Sequence, residues 1–420
     1  MIKKVSLFSK RSDFLNFFAL SLFVLTYSLL IEYQNYKNLT RFDSNIIIAT
    51  VLSQYTKTKN DTKYQVLKMR GDDGSVFYTS AKSSLKNIKG KKVDLKIWAG
   101  KKSFYEYLTT FYAYTKIIYI HEKQTLKQKL NNYIQNTHEN DEIANIYKAL
   151  YSATPMTQNL YSSFSTLGVS HLLAISGFHL GVLSGVLFFL LKYPYKILQN
   201  SYFSYRNFTI DIFIIIAFVL LFYMIFLDSP PSLMRAYWML IIGFVLYDRG
   251  FKIISMQTLL LSVVLLLAFF PKLFFALGFW LSVSGVFYIF LFLIHFKHLS
   301  KVWQFILVPI WVYLLMLPYS LAIFESFSIY HPLSIIWTSL FSIFYPLSIV
   351  LHIIGLGSVF DSTLESFISL GEHKILVVLP LKWLGVHIVL SLLSIYKKLF
   401  LWLLLSFNIL IFLFAIYKTY

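Results

Sequence analysis

Long apolar runs constrain this chain more than any other feature. Phe213–Leu227, Leu259–Phe270 and Leu399–Ile416 carry very few polar side chains. Hydrocarbon offers no water to backbone N–H and C=O groups, so runs of this length must be helices that close their hydrogen bonds internally. Only 14% of the 420 residues are charged, against about 25% in soluble domains. Most of the chain therefore reads as a membrane bundle, not as the two or three soluble domains its length would otherwise suggest. A first span is expected at Phe14–Ile31, after Lys3, Lys4, Lys10 and Arg11. Ile31-Glu32-Tyr33-Gln34 is a poor cleavage site, so this segment reads as an uncleaved helix with a cytoplasmic N-terminus. Nine more helices are expected at roughly 167–191, 209–227, 231–247, 253–270, 278–296, 303–324, 333–354, 376–396 and 399–417. That makes about ten in all. The loops with Lys192, Lys196 and Arg206, with Arg249 and Lys252, and with Lys297 and Lys301 then fall inside, leaving residues 32–165 outside. The charge pattern weakens after residue 355, where Gly355–Gly371 reads as re-entrant.

Residues 32–165 differ in character. Short β-rich runs (Ile46–Leu52, Tyr64–Met69, Val76–Thr79, Val93–Trp98, Lys116–Ile120) are separated by turn signals at Gly71-Asp72-Asp73-Gly74 and Lys89-Gly90-Lys91. Five short strands predict a small OB-like barrel over 32–121. Helical spacing at Leu126, Leu130, Tyr133, Ile134, Ile143, Ile146, Tyr147 and Leu150 predicts an amphipathic connector over 122–165. The expected fold is a polytopic α-helical membrane protein in four parts: a first helix over 1–31, the OB-like insertion, the connector, and a bundle over 166–420.

Charge is concentrated in the insertion. Residues 37 to 129 hold 19 Lys/Arg against 7 Asp/Glu, most of the net +19. A basic extramembrane domain points to a polyanion or an anionic lipid surface; the lysine bias of an AT-rich genome accounts for the charge equally well. Cations interleave with aromatics between Tyr55 and Tyr107. Such interleaving suits single-stranded nucleic acid, whose phosphates need cations and whose bases need flat faces. Lys57, Lys59, Lys68, Arg70, Lys82, Lys101 and Lys102 are the candidate contacts. The plainer reading is that alternate aromatics fill a core while lysines solvate its outside. There is no cysteine, hence no disulfide or thiolate metal site. Lys89-Gly90-Lys91-Lys92 lacks the preceding glycine and the following Ser/Thr of a phosphate-binding ATPase loop. No cofactor, metal or catalytic residue is expected.

The most informative segment is Gly168-Val169-Ser170-His171-Leu172-Leu173-Ala174-Ile175-Ser176-Gly177-Phe178-His179-Leu180-Gly181. Polar residues at membrane depth face a cavity or a partner helix. Gly177, Gly181 and Gly185, four apart, would admit a close backbone. A packing seam with interfacial histidines explains the same pattern. Arg235 follows a Pro-Pro break, placed to bond exposed carbonyls or to meet a phosphate. Asp211, Glu325, His331 and His352 read as mostly interfacial.

This segment resembles the HLLAISGLH signature of the ComEC/Rec2 competence family, with Phe178 in place of the usual Leu. Ser229-Pro230-Pro231-Ser232-Leu233-Met234-Arg235-Ala236 is similar to that family's SPSVLRA block, and Gly278-Phe279-Trp280-Leu281-Ser282 to its GFQLSF block. The resemblance runs from about residue 14 to 355. It implies an inner-membrane channel that passes single-stranded DNA to the cytoplasm, with residues 32–165 periplasmic and no catalysis. It also implies His171, Ser176, Gly177, His179, Arg235 and Ser282 as conduit residues. The implied partners are single-stranded DNA, a periplasmic DNA receptor, a separate cytosolic helicase or DNA-coating protein, and membrane lipid, with homo-oligomerisation left open. Around Ser152-Ala153-Thr154 the chain departs from the family's LLLGD stretch, and it lacks the family's extracytoplasmic cysteines. With no His-x-His-x-Asp-His cluster, it is expected to be a short form without the metallo-β-lactamase-like domain. Two other classes stay open: a secondary transporter of an anionic small molecule, and a membrane-embedded hydrolase using Ser176 with His171 or His179.

Overall fold

The computed structural model describes residues 10–59, 61–121, 125–371 and 375–418. The chain divides into two compact units, Phe8–Asn132 with Leu261–Leu277, and Tyr133–Leu260 with Gly278–Tyr420.

The first unit opens with helix α1, Arg11–Thr40. The expected end near residue 31 is corrected: Glu32 to Thr40 contain no Gly or Pro, so nothing stops the helix. This extension is amphipathic, and Tyr36 and Leu39 pack against the sheet core. The sheet comprises β1 Asn45–Lys59, β2 Thr62–Gly71, β3 Val76–Lys82 and β4 Lys92–Trp98. After a short helix α2, Phe104–Leu108, it ends with β5 Phe111–Tyr112 and β6 Tyr114–Ile120. Val93, Leu95 and Ile97 alternate inward from β4 and meet Val51, Leu67, Met69 and Phe77 in one core. Gly74 and Gly90 take positive φ in the two turns the sequence marked. The strand order is β5-β3-β2-β1-β4-β6. β5 and β6 sit at opposite ends of this order and are consecutive in the chain, joined through Ala113. No backbone ladder closes them among the described residues. The expected barrel is corrected to an open six-stranded sheet, because a two-residue β5 is too short to carry one strand's partnership to both neighbours.

The connector helices are α3 Leu126–Thr137, whose residues from Tyr133 on belong to the second unit, α4 Asp141–Ser152 and α5 Gln158–Thr166. There follow α6 Ser170–Leu173, α7 Gly177–Tyr202, α8 Phe208–Phe226, α9 Pro231–Asp248, α10 Met256–Phe269, whose residues from Leu261 on belong to the first unit, α11 Leu277–His295 and α12 Lys301–Ile323. Strand β7, Ser326–Phe327, pairs with β8, Ile375–Leu376. Between them lie α13 Ser334–Ile353 and α14 Asp361–Leu370; α15 Leu381–Leu393 and α16 Lys398–Tyr417 complete the chain. Ile212, Ile216, Leu220 and Met224, spaced four apart on α8, form a buried stripe with Leu180 of α7 and Leu233 and Tyr237 of α9. Tyr288, Leu291, Trp311, Leu315, Leu401 and Leu404 make a second core from α11, α12 and α16.

Every expected span has a helix, but they are not equally long. Among the described residues seven are long and apolar enough to cross a membrane: Arg11–Thr40, Gly177–Tyr202, Phe208–Phe226, Leu277–His295, Lys301–Ile323, His331–Ile353 and Lys398–Tyr417. Met256–Phe269 and Leu381–Leu393, with 14 and 13 residues, reach only about 20 Å, short of a hydrocarbon core of about 30 Å. The stretch expected to be re-entrant holds the ten-residue α14, also too short to span.

Candidate functional site

The sheet carries an open groove of about 1660 Å³. Lys57, Lys59, Lys63, Lys82, Lys86 and Lys116 line it, with no carboxylate among its lining residues. Five tyrosines join them: Tyr55, Tyr64, Tyr78, Tyr112 and Tyr114. Exposure separates platform from core. Tyr55, Tyr112 and Tyr114 are 42%, 52% and 64% exposed, whereas Phe77 and Tyr107 are buried. Lys57 lies 5.9 Å from the Tyr55 ring centre. Tyr112 donates its hydroxyl to Ser80 at 2.6 Å, which fixes the ring at the groove wall.

Of the seven expected cations, Lys57, Lys59 and Lys82 line this groove. Lys68, Arg70, Lys101 and Lys102 lie outside its lining. Lys68 sits 5.6 Å from the Tyr78 ring, and Lys102 pairs with Glu106 at 3.3 Å. Lys63, Lys116, Tyr112 and Tyr114 were missed. Their signal was the alternation of Lys and Tyr with apolar residues along β2, β5 and β6, which needs the strand register to be read.

In the bundle, the signature segment is not one helix. It breaks after Leu173, passes through Ala174 with extended backbone, and restarts at Gly177. Ser176 is the cap: its Oγ accepts from the Phe178 N–H at 3.3 Å, and its own N–H donates to His179 Nδ1 at 3.3 Å. This is a capping box with histidine in the usual Glu/Gln place. His171 and His179 thus sit on different helices, contrary to expectation. His171 Nε2 is 3.5 Å from Thr338 Oγ1. The His179 ring packs on Phe341 and Tyr345, and its Nε2 is buried without a hydrogen-bond partner. Among the described residues no carboxylate orients it, as a hydrolase triad would require. Only Gly177 of the three spaced glycines meets a neighbour: a Cβ there would lie 3.2 Å from Ala236 Cβ, while Gly181 and Gly185 face open space. Arg235 is 2% exposed and donates Nη1 to the carbonyls of Gly278 and Phe279 at 2.7 and 3.4 Å. Ser282 is half-buried on α11.

Several polar contacts escaped the sequence reading. His352, expected at an interface, is buried and bonds His138 Nε2 to Nε2 at 3.0 Å; Asp361 holds the other face of His138 at 2.9 Å. His331 is buried against Phe327, with Tyr313 OH 3.0 Å from its Nδ1. Gly168, at φ +73°, leaves 2.7 Å between a would-be Cβ and the His331 ring. Asp211 is clamped by Arg206 through two bonds of 2.6 and 2.7 Å. Isolated histidines and acids leave no periodic trace in a sequence.

A family model described as Competence protein matches residues 153–419, more than half of the chain. The chain belongs to the ComEC/Rec2-type Competence family. No curated protein and no solved structure matches it. The Competence family is one of DNA-uptake channels and is not a known enzyme family. Membership gives the chain a role in DNA uptake, and the seven long apolar helices make it a multi-pass membrane protein. The Competence match takes in the capped restart at Ser176, the Arg235 block and the start of α11. It begins after the sheet, so the groove lies outside the matched span.

Proposed function

We propose that this chain is the inner-membrane conduit through which single-stranded DNA reaches the cytoplasm during natural transformation. The groove of the sheet unit is the observation that carries this reading: six lysines, five tyrosines and no carboxylate. Its lysines hold phosphates, and its exposed rings stack on bases, which are available only when the strand is unpaired. Diffuse cation contacts release a moving strand more readily than bidentate base contacts do. Lys57, Lys59 and Lys82 serve this groove, with Lys68, Arg70, Lys101 and Lys102 adding field around it. His171, Ser176, Gly177, His179, Arg235 and Ser282 shape the conduit in the bundle. The sheet unit faces the periplasm, where a DNA receptor hands over the strand, and a cytosolic helicase or DNA-coating protein draws it in. The test is deletion of the gene, with labelled DNA scored separately in periplasm and cytoplasm. Periplasmic entry continues and cytoplasmic arrival stops; loss of both together, or of neither, overturns the assignment.

A further inference from the structure

Three blocks singled out in the sequence are helix beginnings, and the structure brings those beginnings to one place. Ser232, in the first turn of α9, donates to the Ile175 carbonyl at 2.7 Å, one residue before the cap of α7. Ala236, one turn further along α9, faces Gly177, the first residue of α7. Between these two contacts, Arg235 reaches the first turn of α11 through Gly278 and Phe279.

A helix start carries about +0.5 of an elementary charge; at α7 Ser176 already caps the Phe178 N–H, and at α9 Pro231 has no N–H to offer. Arg235 adds a full positive charge at 2% exposure. No ion pair neutralises it among the described residues, and its Nε is buried without a hydrogen-bond partner. His179, in the first turn of α7, is turned elsewhere, its ring on Phe341 and Tyr345 of α13, so Arg235 is the charged group at this junction. Carbonyl dipoles do not supply a counter-charge, and an uncompensated buried cation is strongly unfavourable. An oxyanion would complete both features, since it accepts from a guanidinium and from helix N-termini alike.

We infer that the meeting point of α7, α9 and α11 is a binding site for a phosphate oxyanion, with Arg235 as its charged donor. The ligand is the diester of the passing strand, an identification that rests on the reading of the chain as a DNA conduit. A free phosphate or a lipid headgroup presents the same chemistry, so the test separates the sources.

The full chain is purified in a phosphate-free maltoside detergent, and its thermal unfolding is followed with inorganic phosphate, with a twelve-residue oligothymidylate, or with phosphatidylglycerol. Phosphate and the oligonucleotide both raise the melting temperature, because a ligand that binds only the folded state stabilises it. Arg235→Gln abolishes the phosphate shift. A groove variant, Lys57→Gln with Lys82→Gln and Lys86→Gln, keeps the phosphate shift. If Arg235→Gln does not fold, Arg235→Lys carries the test. The charge remains but the fork is lost, and apparent phosphate affinity falls at least about tenfold. No shift in the wild type, or an unchanged one in Arg235→Gln or Arg235→Lys, overturns the site. Stabilisation by phosphatidylglycerol alone overturns the strand as its ligand. A phosphate shift that needs Arg235, in a protein whose deletion leaves cytoplasmic DNA arrival intact, overturns the conduit reading and leaves the site standing.

Discussion

Salt dependence of DNA binding gives the sharpest test of the groove. A cation that neutralises a phosphate releases condensed counterions, and for single strands the slope of log affinity against log salt is about −0.7 per phosphate. Six lysines line the groove without a carboxylate to compete. If each engages one phosphate, the slope is about −4, and affinity falls roughly 300-fold between 50 and 200 mM salt. Replacing Lys57, Lys82 and Lys86 by Gln removes three of the six contacts. The slope then becomes about −2, and the same salt change costs only about 20-fold. The measurement is fluorescence anisotropy of a labelled oligothymidylate with the full chain in nanodiscs of zwitterionic lipid, so that no anionic surface competes for lysines. A slope that stays near its wild-type value in the triple variant would refute the groove as the phosphate track. So would binding that is insensitive to salt in the wild type, because it would place the contact on apolar or hydrogen-bonding groups.

Tyr112→Ala with Tyr114→Ala should weaken oligothymidylate binding by about 1–3 kcal/mol per lost stack while leaving the salt slope unchanged; an altered slope in the same anisotropy titration would show that the rings position lysines instead. Ala153 closes α4 at φ 52°, in the left-handed region that favours glycine. Ala153→Gly should therefore stabilise the purified protein by about 0.5–1 kcal/mol, the left-handed strain relieved less the entropy that glycine gains when unfolded; a lower melting temperature would contradict this. Gly168→Ala should do the opposite, since it combines positive φ with a Cβ 2.7 Å from the His331 ring. A loss of about 2 kcal/mol or more is expected, read as a lower melting temperature and reduced membrane levels.

What the sequence made legible follows from what leaves a periodic mark. Val93, Leu95 and Ile97 alternate cleanly, so β4 could be placed to within a residue. β1 runs seven residues past its expected end because Ser53 to Lys59 form a solvent-facing arm with no apolar alternation to reveal it. The span positions were readable from hydropathy, but the break inside the signature was not. Leu172, Leu173, Ala174 and Ile175 look like continuous helix, and the cap at Ser176 is completed by His179, not by the Glu or Gln that a search for a capping box would seek. The groove was half visible. Composition marked the right stretch, but only the register of β2, β3 and β6 decides which lysines share a face. The contact of His138 with Asp361 joins residues 223 apart in the chain, and no local pattern announces it.

Helix α13 shows how such scattered contacts act together. Thr338 Oγ1 meets His171, Tyr345 OH meets Tyr223 at 3.2 Å, Ser348 accepts from Tyr151 at 2.8 Å, and His352 meets His138. The spacings of seven, three and four residues put all four on one face of the helix. Each belongs to a different partner: α6, α8, α4 and the turn after α3. In lipid, apolar burial does not distinguish one helix rotation from another, so polar pairs and close contacts must select it. Rotating α13 by a single residue would break all four pairs at once. The same helix presents Phe341 and Tyr345 to the His179 ring. The rotation chosen at the His352 end therefore sets the wall against which the first turn of α7 is held, about 20 Å along the helix axis from Thr338 to His352. The anion site at that turn thus depends on residues that never approach it, and the connector helices, outside every apolar run, are part of what positions the bundle's core.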